Sequence, residues 1–235
     1  MHLDIRIGFR QAYNMCGRFA LIEDPDAVVE EFGVVVSTTS FSEPRYNVCP
    51  TQLIPVAVAY DGQRHLVDMR WGFIPHWYKK PNDGPLLINA RSETLAEKPA
   101  FREAARARRC LIPASGFYEW HRDKGTGKEP WFLKRPEKEM LAFAGVWQAW
   151  TSPEGERQVA CAIVTTAAGN DISHIHHREP VTLARDDYGL WLGEEGKGAA
   201  KLMQTAPDEF YETYRVSHDV NSRYHNTSQL MEPMA

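Results

Sequence analysis

The sequence predicts a β-rich chain with mainly antiparallel strands and a few short helices, an α+β arrangement, and three observations carry that expectation. From Cys110 onward, strand-sized apolar runs follow one another through short turns: CLIPA, GFYEW, PWFLK, MLAFAGVWQAW and QVACAIVTT. Runs joined this closely pair antiparallel. Upstream, LIPVAVAY, the turn dipeptide Asp61-Gly62 and HLVDMRW read as a β-hairpin over residues 53–71. Helical patterns, the third observation, are few and short.

Taken in order, Asp24-Pro25-Asp26, AVVEEF and Gly33 predict the first helix: Asp24 caps it, Pro25 suits its first turn and Gly33 ends it. Pro55 marks an edge strand or a strand start. Residues 71–80 (WGFIPHWYKK), followed by Pro81, Gly84 and Pro85, form a loop carrying large rings. Buried anchoring accounts for Trp71 and Phe73. Trp77, beside Lys79 and Lys80, is a candidate platform for stacking unpaired bases. A helix covers part of residues 92–109, starting near Pro99, and its arginines (Arg102, Arg106, Arg108, Arg109) read as a solvated face. Cys110 and Cys161 fall within apolar runs and are expected in the core. After a histidine-rich turn, His174 to Pro180, the pattern predicts helices over residues 186–192 and 198–205 and a last strand over residues 212–216.

The 235 residues fit one domain with a sizeable core. A net charge of −4 excludes the uniformly basic surface of many nucleic-acid binders, so an anionic partner must be held by a local patch. Four cysteines, with no CxxC pair, suggest neither a structural zinc site nor a disulfide framework, and a reducing cytoplasm is expected. Residues 1–14 have no apolar signal region and read as an extension outside the mature protein. No apolar run is long enough to span a membrane. Asn226-Thr227-Ser228 matches a glycosylation sequon by chance.

The chemistry is expected around Met15-Cys16. If Met15 is the true start and is removed, Cys16 carries an α-amine and a thiol on one carbon skeleton. That pair captures an aldehyde as an imine and closes it to a thiazolidine. Its amine, with a pKa of about 8, is partly neutral at pH 7. Three further segments place polar groups in apolar surroundings. Asn89 and Arg91 lie two apart and share one face of an extended segment. Glu119 sits among Phe117, Tyr118 and Trp120, a setting that raises a carboxylate pKa and suits a general acid or base. His174, His176 and His177 diverge on a turn, so no metal site is expected, whereas one of them suits proton transfer.

The motifs Met15-Cys-Gly-Arg-Phe19, Arg45-Tyr-Asn-Val-Cys-Pro50, Trp71-Gly-Phe73, Leu87-Ile-Asn-Ala-Arg-Ser-Glu-Thr94, the run from Arg109 to Trp120, Val164-Thr165 with Ala167-Ala168, and Ile175-His-His-Arg-Glu-Pro-Val181 resemble those of the SRAP family, the SOS response-associated peptidases, also described as abasic-site shield proteins. They run in the family's order from residue 15, through Val216-Ser217 and Val220-Asn221. The resemblance implies a single SRAP domain over residues 15–235, an α/β fold of the α+β type with a largely antiparallel, barrel-like β core and peripheral helices. It implies a basic groove for single-stranded DNA, in which Cys16 as mature N-terminus crosslinks to the ring-opened aldehyde of an abasic site. Asn89, Glu119 and His176 fall on active-site positions, Arg18 and Arg91 on DNA-backbone contacts, and Pro50, Trp120 and Thr165 on the groove lining. In that scheme Glu119 protonates the departing hydroxyl, His176 the sugar ring oxygen, and Asn89 orients the sugar. No cofactor is implied, and a monomer is expected.

Three departures stand out. Fourteen residues precede Met15: either translation starts at Met15, the reading favoured, or the extension is cleaved, or the chain as written does not crosslink. Cys49 replaces a small residue before the proline. His177-Arg-Glu179 replaces the more usual Asp-Arg-Met and alters the charge near His176. The competing functions are a thiol peptidase using Cys16 with His176 and Glu119 or Asn89, and a non-covalent single-strand binder using Trp77, Lys79 and the arginines.

Overall fold

The computed structural model describes residues 16–123 and 127–234, so the expected extension over residues 1–14 lies outside the described residues, as does Met15. In chain order the elements are β1 (Arg18–Leu21), α1 (Pro25–Glu31), β2 (Val36–Ser37), β3 (Arg45–Val48), β4 (Leu53–Tyr60), β5 (Gln63–Trp71), β6 (Asn89–Arg91), α2 (Arg102–Ala107), β7 (Arg109–Ala114), β8 (Gly116–Asp123), β9 (Gly127–Lys134), β10 (Leu141–Thr151), β11 (Arg157–Ala167), α3 (Asn170–Ser173), β12 (Arg178–Pro180), α4 (Tyr188–Leu192) and β13 (Glu212–Arg215). None of the described helices is long and apolar enough to cross a membrane.

Five strands close into a barrel in the order β5-β4-β7-β10-β11 and back to β5. Four of the junctions are antiparallel, and the ring closes through a parallel pair, Ala160 opposite Arg70 and Cys161 opposite Trp71. Closure leaves no unpaired edge between these strands, which is why the runs of β7, β10 and β11 are almost continuously apolar and buried. Gly145 on β10 is required there: a Cβ would lie 2.8 Å from the Cys110 sulfur and 3.0 Å from Ile112. The hairpin of β4 and β5 turns through Asp61 and Gly62, both at positive φ as a primed turn needs.

A second sheet, in the order β13-β9-β8-β1-β3, is antiparallel throughout and lies against the barrel. The period-two alternation of β1 and β8 sorts its residues. Phe19 and Phe117 turn to the barrel, with ring centroids 6.2 and 5.8 Å from Phe143 and Phe19 5.1 Å from Trp71. Ala20 and Tyr118 turn to the outer face, where Val216, Val220 and Leu230 from the C-terminal segment cover them.

The first helix forms as predicted, with the Asp24 carboxylate accepting from the Asp26 amide at 2.9 Å. Elsewhere the expectations need correction. Pro55, third in β4, meets the strand-start alternative and not the edge one: β4 lies between β5 and β7, though its ladder to β7 is registered only at Ala57 opposite Leu111. Residues 198–205 hold only the 3-10 turn Ala199–Leu202, too short to sustain an α-helix after the glycine-rich loop. The histidine-rich turn gives way to a strand, β12, which pairs with β11.

Candidate active site

Alternation places Glu119 on the barrel-facing side of β8 with Phe117, while Tyr118 and Trp120 face outward. Its carboxyl is therefore buried by the sheet–barrel interface more than by the adjacent rings, and it is 4 % exposed. Cys16, 3 % exposed, lies against it. The backbone nitrogen of Cys16 donates to Glu119 Oε1 at 2.5 Å, and the thiol hydrogen-bonds the same carboxyl. Cys16 adopts φ +44°, an uncommon left-handed conformation for a non-glycine residue. Burial raises the Glu119 pKa to about 7, against the opposing pull of the hydrogen bonds from Cys16 and Trp120. Burial also pushes the Cys16 thiol well above its ordinary value, and the Glu119 charge adds to that rise.

The end of β11 assembles the rest. It pairs in parallel with β6, Ile163 opposite Asn89 and Thr165 opposite Arg91, and antiparallel with β12, Thr165 opposite Pro180. Asn89 is half-buried, with its Oδ1 out of solvent. His176, half-buried just before β12, places Nδ1 3.2 Å from the Arg178 amide nitrogen and 3.3 Å from the Arg178 carbonyl oxygen, so this ring nitrogen accepts from the one or donates to the other according to its tautomer. Burial, then the neighbouring His177, Arg122 and Arg178, hold its pKa below the usual value against the opposing backbone hydrogen bond. The rings of His176 and His177 lie 4.3 Å apart, whereas His174 packs against Trp131.

Four residues that sequence reasoning did not assign to the site join it. Arg178 forks onto the Glu93 carboxylate, with Nη2 at 2.9 Å from Oε2, and donates to the Thr165 carbonyl at 2.7 Å. The Arg178 hydrogen bond pulls the Glu93 pKa down to about 2, and the Arg178 charge lowers that of the Cys16 thiol. Glu179, on the opposite side of β12, accepts from the amides of Gly169 at 2.8 Å and Ala206 at 2.7 Å. Its charge acts on Cys16 and Tyr211, so the departure at Glu179 bears on the thiol. Tyr211 packs on Phe117 and its hydroxyl lies 2.7 Å from Thr182 Oγ1. Arg178 and Glu179 fall inside a quoted motif, whereas Tyr211 carries no local signal.

The expected DNA contacts divide. Arg91 is exposed beside the cluster. Arg18 is half-buried, donating to Asn47 Oδ1 at 2.9 Å and to the carbonyls of Val220 at 2.6 Å and Asn221 at 3.3 Å. Trp120 is half-buried and donates to Asn221 Oδ1 at 2.9 Å, while Pro50 is half-buried after β3. Thr165 is wholly buried, with its Oγ1 3.4 Å from Arg178 Nη2, a place from which it supports Arg178. Trp77 is half-exposed against His76 and Tyr78. The Tyr78 carbonyl accepts from Trp150, which pairs with Gln158 on β11. Gln158 lies seven residues from Thr165, about 23 Å along the strand at 3.3 Å per residue. Cys49 is buried with its thiol donating to the Asn47 carbonyl at 3.4 Å, and its charged neighbours are Arg18, Arg45 and Arg223. Asn226 Oδ1 accepts from the amides of Tyr46 and Asn47. Arg102 and Arg106 are exposed as a solvated face, whereas Arg109 donates to the carbonyls of Ala105, Arg106 and Trp191.

A closed five-stranded barrel with a flanking sheet, and a cysteine whose nitrogen and sulfur both meet a buried carboxyl, define a distinct class of protein. The chain belongs to the SRAP family, SOS response associated peptidase, whose model matches residues 15–223. Among its relatives, the abasic site processing protein YoqW of Bacillus subtilis is 37% identical over 222 residues, covering 93% of this chain and 99% of that protein. The abasic site processing protein HMCES of Gallus gallus is 31% identical over 226 residues, covering 81% of this chain and 66% of that protein. Solved structures share the fold. A Bacteroides thetaiotaomicron protein superposes with a TM-score of 0.83 at 24% identity, covering 94% of this chain and all of that one. A phage-related protein of Bordetella bronchiseptica gives 0.72 at 26% identity, covering 90% and 99%.

Proposed function

We propose that this protein processes abasic sites in DNA by covalent capture, with Cys16 as the working N-terminus and single-stranded DNA as the bound form. The observation that carries the reading is the 2.5 Å hydrogen bond from the backbone nitrogen of Cys16 to Glu119. A thiol nucleophile needs no such contact, whereas an amine nucleophile needs an acid–base group at its nitrogen. The family match beginning at Met15 and the relatives named abasic site processing proteins support it.

In the proposed sequence the neutral α-amine adds to the ring-opened C1′ aldehyde to give a carbinolamine. Glu119, with its pKa raised to about 7, takes the ammonium proton and returns one to the departing hydroxyl, so that water leaves and an imine forms. The Cys16 sulfur then adds to the imine carbon, its proton passes to nitrogen, and a thiazolidine closes. The net change is loss of one water. His176 hydrogen-bonds the sugar oxygen as the ring opens, and Asn89 orients the sugar. Arg91 holds a flanking phosphate, since such contacts position a strand without reading sequence, and Arg18, engaged by Asn47, Val220 and Asn221, shapes the strand's path beside it. Specificity comes from the lesion, because only an abasic site offers the aldehyde.

A peptidase reading fits less well. Thiol peptidases depend on a depressed thiol pKa, whereas burial and Glu119 raise this one. The test is protein verified by mass to begin at Cys16, mixed with an abasic single-stranded oligonucleotide and run on a denaturing gel. The expected product is an adduct whose mass is the sum of the two less one water. Absence of an adduct overturns the proposal.

A further inference from the structure

The C-terminal segment runs as a strap across the outer face of the second sheet, anchored by Val216, Val220 and Leu230 on Ala20, Tyr118 and Phe132. Its turn is fixed from below. Asn47 Nδ2 donates to the carbonyls of Ser222 at 3.0 Å and His225 at 2.9 Å, and Arg18 grips those of Val220 and Asn221. Between these anchors stands Tyr224, 79 % exposed, the most exposed large ring among the described residues. Arg223 lies over one face of the ring, with its guanidinium carbon 4.9 Å from the centroid and Nη2 donating to the Tyr224 hydroxyl at 2.8 Å, which leaves the other face for a partner. Trp120 donates to Asn221, so the turn adjoins two groups assigned above to the DNA path.

An exposed ring on a backbone held by side-chain amide bonds loses little freedom when a flat partner settles on it. Unpaired bases are such partners, and an adjacent guanidinium adds phosphate attraction. We propose that Arg223 and Tyr224 form a stacking contact for an unpaired base flanking the lesion, with Arg223 on the neighbouring phosphate. Trp77, the ring that sequence reasoning favoured, stands at the far end of the barrel strands. This inference rests on the single-stranded DNA reading and identifies where the flanking strand is held.

The test measures binding of lesion-free single-stranded oligonucleotide to protein beginning at Cys16 by fluorescence anisotropy, and adduct rate on the abasic strand. Tyr224→Ala is expected to weaken binding roughly tenfold and Tyr224→Phe to leave it unchanged, as base stacking on a ring predicts. Arg223→Ala should reduce the salt dependence of binding by about one charge. The concentration of abasic DNA that gives half the maximal adduct rate should rise about tenfold in Tyr224→Ala. Replacing each flanking nucleotide in turn by a tetrahydrofuran spacer should find one position whose loss and Tyr224→Ala are not additive. Full affinity in Tyr224→Ala, or additivity at every position, overturns this inference and leaves the capture reading standing. Failure of the unsubstituted protein to bind single strands overturns both.

Discussion

Two sets of buried thiols divide this molecule. Cys110 and Cys161 are fully buried on β7 and β11, the barrel strands on either side of β10, with Gly145 beside Cys110 and a largely apolar core around them. Cys16 is almost as deeply buried, yet a carboxyl meets both its nitrogen and its sulfur, and Arg178 and Glu179 act on it from β12. Burial raises all three thiol pKa values, so it does not separate the proposed nucleophile from the other two. What separates them is the polar neighbourhood: a carboxyl meets Cys16 at both its nitrogen and its sulfur, whereas the charged group that acts on Cys161 is the Arg70 guanidinium, which donates to the Gly72 carbonyl.

The largest expected effect tests that division outright. Cys16→Ala should abolish adduct formation on a denaturing gel, and so should protein in which Met15 is retained, because its nitrogen is then an amide. Cys110→Ala and Cys161→Ala should each crosslink at the normal rate. An adduct in the Met15-retained protein would show that sulfur alone suffices and would remove the role assigned to the nitrogen.

Glu119→Gln comes next, with a crosslinking rate about a hundredfold slower, the ordinary loss for a missing acid–base group. In the unsubstituted protein the rate should inflect near pH 7, where Glu119 titrates, and the variant should lack that inflection. The stability sign is also fixed. A carboxyl whose folded pKa is raised binds more protons folded than unfolded, so its contribution falls as pH rises from about 4.5 to about 7. Glu119→Gln should therefore raise the thermal midpoint at pH 8 and leave it nearly unchanged at pH 4. An equal shift at both pH values would break the assignment of a desolvated acid.

Local signals made much of the fold legible. Asp24-Pro25 and Gly33 bound α1, and Asp61-Gly62 turned β4 into β5, because caps and turns are decided by neighbours in sequence. Barrel closure was less so, since the parallel contact of β11 with β5 joins residues 90 apart and leaves no periodic trace. The same holds within the site. Glu119 was singled out for its flanking rings, but Tyr118 and Trp120 point away from it and the barrel interface buries it. Tyr211 arrives from the far end of the chain. Thr165 and Arg18 occupied their motifs, yet tertiary contacts fixed their actual partners.

The third effect concerns the ion pair behind the thiol. Glu93→Gln removes the anion that orients Arg178, and crosslinking should slow several-fold, with a weaker effect than Glu119→Gln because Arg178 keeps its bond to the Thr165 carbonyl. Glu93 has a depressed pKa, so its contribution is complete above about pH 4.5 and is lost as pH falls toward 2. A comparison of urea midpoints at pH 6 and pH 3 should show the cost of Glu93→Gln shrinking at the lower value. An unchanged rate at neutral pH would reduce the pair to scaffolding.

The smallest effect completes the contrast from the inert side. Cys161→Ala deletes a single buried sulfur in a fully packed strand, and the loss should be about 1 kcal/mol, read as a lower urea midpoint at constant m. Cys161→Ser has nearly the same volume but places a hydroxyl in a largely apolar core whose nearby Arg70 guanidinium is engaged by the Gly72 carbonyl, so it should cost more than alanine despite filling the space better. Were serine the milder change, the Cys161 surroundings would contain a polar partner, and the distinction between the thiols would be one of degree. Neither variant should alter the rate at which Cys16 captures the aldehyde, because this sulfur has a packing role only.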